Sequence, residues 1–79
     1  QGDYRRTSAL AKLAEFMPEA RPEALEAARQ LKDTYYRASA LADLAEFMPE
    51  ARPEALEAAR QVQGDYRRTS ALAKLAEFM

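Results

Sequence analysis

Hydrophobic and polar positions along residues 4–17 follow the period of an amphipathic α-helix. Polar side chains recur at about 100° per residue and form one narrow stripe, while apolar side chains occupy the other side. The stretch contains no glycine or proline and is rich in alanine and leucine, which favour helix. We expect the stripe of Arg5, Ser8, Lys12 and Glu15 to face water, and we expect the opposite side to pack: Leu10, Leu13, Ala14 and Met17.

A second, shorter helical pattern begins near Pro22 and extends to about Lys32. Proline fits the first turn of a helix, where its missing N–H costs nothing. The apolar face of this helix is made mostly of small side chains, which permit close helix approach. That face is Ala24, Ala28 and Leu31, and it lies opposite Glu23, Glu26, Arg29 and Gln30.

Proline, glycine and aspartate mark the expected helix boundaries. Pro18 should end the first helix, because it forces Met17 out of the helical region. Gly2 is suited to end a preceding helix, and the Asp3 carboxylate can accept from the backbone N–H groups of the next. Asp33 is expected to act in the same way before Thr34.

The pattern returns with a strict spacing of 31 residues. The segment QGDYRRTSALAKLAEFM at residues 1–17 recurs unchanged at residues 63–79, and residues 1–31 differ from residues 32–62 at 7 positions. A period of this size is typical of stacked repeat proteins. We therefore predict an all-α solenoid of helix-turn-helix repeats with five helices. It forms a single array over residues 1–79: a first copy (1–31), a second copy (32–62) and a partial third copy (63–79). Because the sequence stops within a copy, we expect a cut or incompletely covered array.

Composition narrows the possible partners. Charged residues make up 32% of the chain but sum to a net charge of −1, so nucleic acid and membrane are not expected partners. The absence of cysteine and histidine removes disulfides and the commonest metal ligands. Apolar stretches are short and interrupted by charges, so we expect a soluble chain without a membrane span or signal peptide.

The positions at which the copies differ suggest contacts between repeats. On the polar stripe, Lys12, Asp43 and Lys74 alternate in sign at equivalent positions. Arg5, Tyr36 and Arg67 likewise alternate cation with aromatic ring. Equivalent helices that pack directly lie about 8–10 Å apart, so these side chains can meet. One interpretation is a ladder of Lys–Asp and Arg–Tyr contacts, and the other is neutral surface variation.

Arg6, Arg37 and Arg68 project toward the apolar side of the first helix in each copy. They could form a row of anion-binding groups. The structural alternative, which we favour, is that each lays its stem on the core and pairs with helix-end carbonyls or with a carboxylate such as Glu19 or Glu50.

No set of residues points to chemistry, so the sequence predicts no catalytic, cofactor-binding or metal-binding residue, no cofactor and no enzyme. Ser8 and Ser39 have no histidine to activate them. Arg5, Arg6 and Tyr4 form a small basic patch that Asp3 and the acidic second helix offset. Phe16 and Met17 suggest packing between hairpins. The remaining candidates are carboxylates expected on solvated helix surface: Glu15, Glu19, Glu23, Glu26 and their copies.

The stretch PEALEAARQVQGDYRRTSALAKLAEF resembles a tetratricopeptide unit, and the resemblance extends over the chain. The family's first-helix leucine corresponds to Leu56 and its turn tyrosine to Tyr66. Its two small second-helix residues correspond to Thr69 and Ala76. The period is 31 rather than 34 residues, and Glu57 replaces the family's glycine. The resemblance implies a helical array that binds protein or peptide.

The near-identical copies and the bias toward Ala, Leu, Glu and Arg are also similar to designed or consensus helical arrays, including closed toroids. The resulting hypothesis is a non-catalytic scaffold that stacks or self-associates. The alternative is a natural tetratricopeptide-like module of a larger bacterial protein that binds protein or peptide.

Overall fold

Five α-helices make up the chain in a computed structural model, which describes residues 2–78. They are α1 (Gly2–Phe16), α2 (Arg21–Arg29), α3 (Thr34–Ala45), α4 (Arg52–Arg60) and α5 (Asp65–Ala76). Short 3-10 turns, Pro18–Ala20 and Pro49–Ala51, precede α2 and α4. No strand occurs between residues 2 and 78, so the predicted all-α class is confirmed.

The central helix α3 packs against all four others, and each helix also packs against its neighbours in the sequence. Helices α1, α3 and α5 are adjacent and form a first layer, and α2 and α4 form a second layer that covers them on one side. The result is a slab of 35 × 28 × 14 Å. None of the helices in the described part of the chain is long and apolar enough to cross a membrane.

Proline determines where α1 and α3 end. Met17 (φ −124°, ψ 93°) and Met48 (φ −122°, ψ 89°) both leave the helical region directly before a proline. The predicted end of the second helix, near Lys32, is wrong by about three residues. Helix α2 ends at Arg29 because the N–H of Gln30 closes the last turn onto the carbonyls of residues 26–28.

The helix starts differ among the copies. Asp33 caps α3, and its carboxylate accepts a 2.9 Å hydrogen bond from the N–H of Tyr36, as predicted. The third copy differs, because Gly64 occupies the cap position of α5 and Asp65 lies inside the helix. Gly64 has a φ of +90°, which glycine adopts without strain. The predicted cap of the first copy, Asp3, likewise lies within α1, which begins at Gly2, so that prediction is wrong.

The core consists largely of alanines, so the helices approach closely. Ala14, Ala24 and Ala28 are fully buried, as the patterns of both helices predicted. Most of the larger core side chains come from the second and third copies, and Leu31 comes from the first: Leu31, Leu41, Leu44, Met48, Val62 and Leu75. Because small side chains bury little area each, the packing depends on continuous contact between helices.

We predict that Asp33→Ala lowers the free energy of unfolding by about 1 kcal/mol, because the N–H of Tyr36 loses its partner. Urea denaturation measures the change. Asp65→Ala is the matched control, since Asp65 caps no backbone N–H group and should cost clearly less. Equal losses in the two variants would contradict the assigned cap.

Candidate functional site

Contacts between one 31-residue copy and the next are the most specific feature of the surface. We call the contact between residues 2–31 and 32–62 the first seam, and the contact between residues 32–62 and 63–78 the second seam. Because the copies are nearly identical in sequence, the two seams can be compared position by position.

An aromatic row runs across both seams. The ring of Tyr4 stacks on that of Tyr36 with centroids 4.6 Å apart, and the guanidinium of Arg67 lies 5.5 Å from the centroid of Tyr35. Tyr35 and Tyr36 are themselves 5.8 Å apart. In each seam, the fourth residue of one copy therefore meets the fifth residue of the next.

This register corrects the predicted Arg–Tyr ladder. Arg5 was expected to meet Tyr36, and Tyr36 to meet Arg67, at equal height along adjacent helices. The adjacent helices are instead offset, so the tyrosine that all copies share supplies one side of each contact. Its presence as Tyr4, Tyr35 and Tyr66 was the signal that sequence reasoning missed.

The predicted Lys–Asp ladder forms at the second seam. Lys74 Nζ lies 2.7 Å from Asp43 Oδ1 and donates a 3.1 Å hydrogen bond to Ser39 Oγ. Lys12, the equivalent residue of the first copy, makes no ion pair within residues 2–78. The ladder therefore has one rung in the described chain, and its side chains are about 40% exposed.

Arg21 and Arg52 join three helices each, a role the sequence analysis missed. Arg21 Nε donates to the carbonyl of Ala14 at 2.9 Å, and its guanidinium lies 5.1 Å from the ring of Phe47 in the next copy. Arg52 repeats both contacts, with Ala45 at 3.0 Å and the ring of Phe78 at 5.5 Å. These arginines satisfy free carbonyls at a helix end while covering an aromatic ring across the seam.

A bidentate ion pair joins the second layer across the first seam. Arg29 donates from Nε and Nη2 to the Glu54 carboxylate, at 2.7 and 2.9 Å. The hydrogen bond and the negative charge of Glu54 raise the pKa of Arg29 above its ordinary value. At the equivalent position of the second copy, Arg60 meets Glu57 of its own helix, as Arg29 also meets Glu26.

Two of the three arginines near the apolar side of the first helix bind helix-end carbonyls. Arg37 donates to the carbonyl of Leu31 at 2.7 Å, and Arg68 donates to that of Val62 at 3.2 Å. The structural interpretation is confirmed for these two. Arg6 instead pairs with Asp3 at 3.4 Å. The suggested pairing with Glu19 or Glu50 is wrong, since both carboxylates are exposed and lie outside these contacts.

Part of the apolar side of α1 is exposed, which corrects the prediction that Leu13 and Met17 are packed. Leu13 is 51% exposed, whereas the equivalent Leu44 and Leu75 are 0% and 2% exposed. Phe16 is 81% exposed, although Phe47 and Phe78 are partly buried. The cause is that α3 and α5 each lie against a preceding helix pair and α1 does not.

The third copy is uncovered on a different side. Its tetratricopeptide-like small positions, Thr69 and Ala76, are exposed, while Thr7 and Ala14 in α1 are buried. Helix α1 packs against the following α2, and no helix after α5 occurs within residues 2–78. Tyr66 is exposed, because no further copy within residues 2–78 supplies the contact that Arg67 makes with Tyr35. Leu56, the family's first-helix leucine, is partly buried.

The residues considered for chemistry do not converge. Four of these carboxylates are exposed and are spread over α1, the following turn and α2: Glu15, Glu19, Glu23 and Glu26. Ser39 accepts a hydrogen bond from Lys74, and Ser8 lies on the polar side of α1. Within residues 2–78, no three acidic side chains are grouped so that they could hold a metal ion. Met79 lies outside the described residues.

Comparison with known protein families, curated proteins and solved structures finds no match to this chain.

We predict that Asp43→Lys lowers the melting temperature at low salt, because it places two ammonium groups together at the second seam. The free energy of unfolding should fall by about 1 kcal/mol or less, and this loss should shrink at high salt.

Glu50→Lys is the matched control, since Glu50 is exposed and the substitution makes the same change in net charge away from the seam. The double variant Asp43→Lys with Lys74→Asp should recover most of the loss. An unchanged melting temperature in the Asp43→Lys variant at low salt would contradict a stabilising Lys74–Asp43 ion pair.

Proposed function

We propose that this chain is a non-catalytic scaffold, a solenoid of 31-residue helical repeats, whose activity is association with further copies of itself. The association surface on one side is the exposed apolar face of α1. The surface that receives this face on a neighbouring molecule lies on the second and third copies. Both faces are made of residues that the seams within the chain already pair.

The observation that carries this proposal is the exposure of Leu13. The same residue type, in the same sequence context, is 0–2% exposed where another copy within the described residues precedes it, and 51% exposed at Leu13, where none of the described residues does. Phe16 differs from Phe47 and Phe78 in the same direction. A face whose equivalents are covered twice within the chain is complementary to the surfaces that cover those equivalents.

The charges agree with this arrangement. Arg29 of the first copy bonds Glu54 of the second, so Arg60 and Glu23 are the equivalent pair that two molecules would form. Across such a contact, Arg5 of the incoming molecule is in the position to meet Tyr35. Arg67, the equivalent residue of the third copy, already holds that position within the chain.

The near-identity of the copies favours a designed or consensus origin. Open filaments and closed rings both repeat one heterologous contact, and they differ in whether the rotation per molecule closes. A discrete oligomer would identify a closed toroid, and a mass that continues to grow with concentration would identify an open array.

Protein or peptide binding is the alternative function, and one observation favours it. A groove of about 320 Å³ lies between α2, α3 and α4, with arginine, glutamate and leucine side chains along it. Such mixed lining suits an extended peptide. Two of its charged groups, Arg29 and Glu54, are already paired with each other, which leaves fewer groups in the groove to bind the polar atoms of a peptide.

We predict that Leu13→Lys weakens association by at least about tenfold, because it places an ammonium group where a buried leucine is needed. Sedimentation velocity over a concentration series measures the effect. Glu50→Gln is the matched control, since Glu50 is exposed and both changes take the net charge from −1 to 0.

Equal association by the Leu13→Lys and Glu50→Gln variants would contradict the proposed surface. Far-ultraviolet circular dichroism checks that both variants keep the helical content of the unmodified chain. Because Leu13 is already half exposed, the substitution should leave the fold intact.

A further inference from the structure

We propose that association proceeds by helix exchange: α1 of one molecule takes the place of α5 in another and displaces it. This inference rests on the proposed function and specifies the partner segment. Residues 63–79 repeat residues 1–17 without a single change, so the place that α5 occupies accepts α1 equally well.

The geometry of the second layer favours exchange. For Arg60 to meet Glu23 of another molecule as Arg29 meets Glu54, the incoming α2 must lie beside α4. Helix α1 precedes α2 through a short turn and packs against it, and Arg21 binds the carbonyl of Ala14. The incoming α1 then falls at the position next to α3 and α4, which is where α5 lies.

Docking of α1 on the outside of α5 gives a poorer contact. The order of helices in the chain places a helix of the second layer between successive first-layer helices. An α1 added beyond α5 would leave that second-layer position empty, and Thr69 and Ala76 would stay uncovered. Exchange leaves no such gap, because α4 and the incoming α2 become neighbours.

Helix α5 is held less firmly than α1. Helix α1 packs against α3 and, more extensively, against α2, the helix that follows it. Helix α5 packs against α3 and α4, and its contact with α4 is smaller than that of α1 with α2. Helix α5 has no following helix within the described residues. The connection that precedes it contains Gly64 at φ +90°, a residue free to change conformation.

Each contact that α5 loses on exchange is replaced by an identical one. Asp43 exchanges Lys74 for Lys12 of the incoming molecule, and Arg52 exchanges the ring of Phe78 for that of Phe16. The incoming molecule also buries Leu13, which is half exposed before association. The Arg60–Glu23 pair is a further gain. The exchange thus keeps the old contacts and adds new ones.

Resonance energy transfer within a labelled chain tests the exchange directly. The chain has no cysteine, so Lys32→Cys and Glu77→Cys, both at exposed positions, provide two unique labelling sites. A trace of doubly labelled protein is mixed with unlabelled full chain at rising concentration, and light scattering follows the mass. We expect the transfer efficiency to fall in step with the rise in mass, since each labelled α5 leaves its place.

A rise in mass with unchanged transfer efficiency would overturn the exchange and leave head-to-tail association standing. Constant mass at all concentrations would overturn the proposed association itself, and the exchange with it. The two failures are therefore distinguishable.

Two equivalent leucines supply a matched pair of variants. Leu75→Ala loosens α5 and should strengthen association by about 30-fold or more, because the outgoing helix loses a buried side chain. Leu13→Ala removes the same atoms from the incoming helix and should weaken association. Docking without exchange predicts no strengthening by Leu75→Ala, so that result would also overturn the exchange.

Discussion

Burial of a leucine at one repeated position, by the helix pair of the preceding copy, is the constraint on which the rest of the structure depends. Leu44 and Leu75 are almost fully enclosed, and the aromatic row, the Arg21-type contacts and the ion pairs lie around them. The polar contacts are individually weak because they are partly exposed. They determine the register between helices whose close approach is set by alanine and leucine.

Arg21 and Arg52, which precede Pro22 and Pro53, each stabilise both the end of a helix and the packing between two copies. Each arginine stands at a chain reversal forced by proline and binds carbonyls that the preceding helix leaves free. Each then reaches the phenylalanine of the next copy. A helix end and a seam are thereby stabilised together, which couples the order within one copy to the presence of the next.

Much of this could be predicted from the sequence, because helix type and helix ends depend on local physics. The proline stops at Met17 and Met48 and the buried alanine faces follow from steric limits and periodicity. The offset of the tyrosines could not be predicted, since it depends on how far one helix slides along another. The exposure of Leu13 also escaped prediction, because periodicity identifies an apolar face without saying whether another helix covers it. Asp65 is not a cap for a local reason: Gly64 occupies the cap position.

The most direct test of the account is the mass of the unmodified chain in solution, measured by light scattering over a dilution series. If uncovered faces reproduce the seams between molecules, the mass should rise above the 8.9 kDa of one chain as concentration increases. It should return to that value on dilution. A mass of one chain at every concentration would contradict the account and favour an array that binds a different protein or peptide.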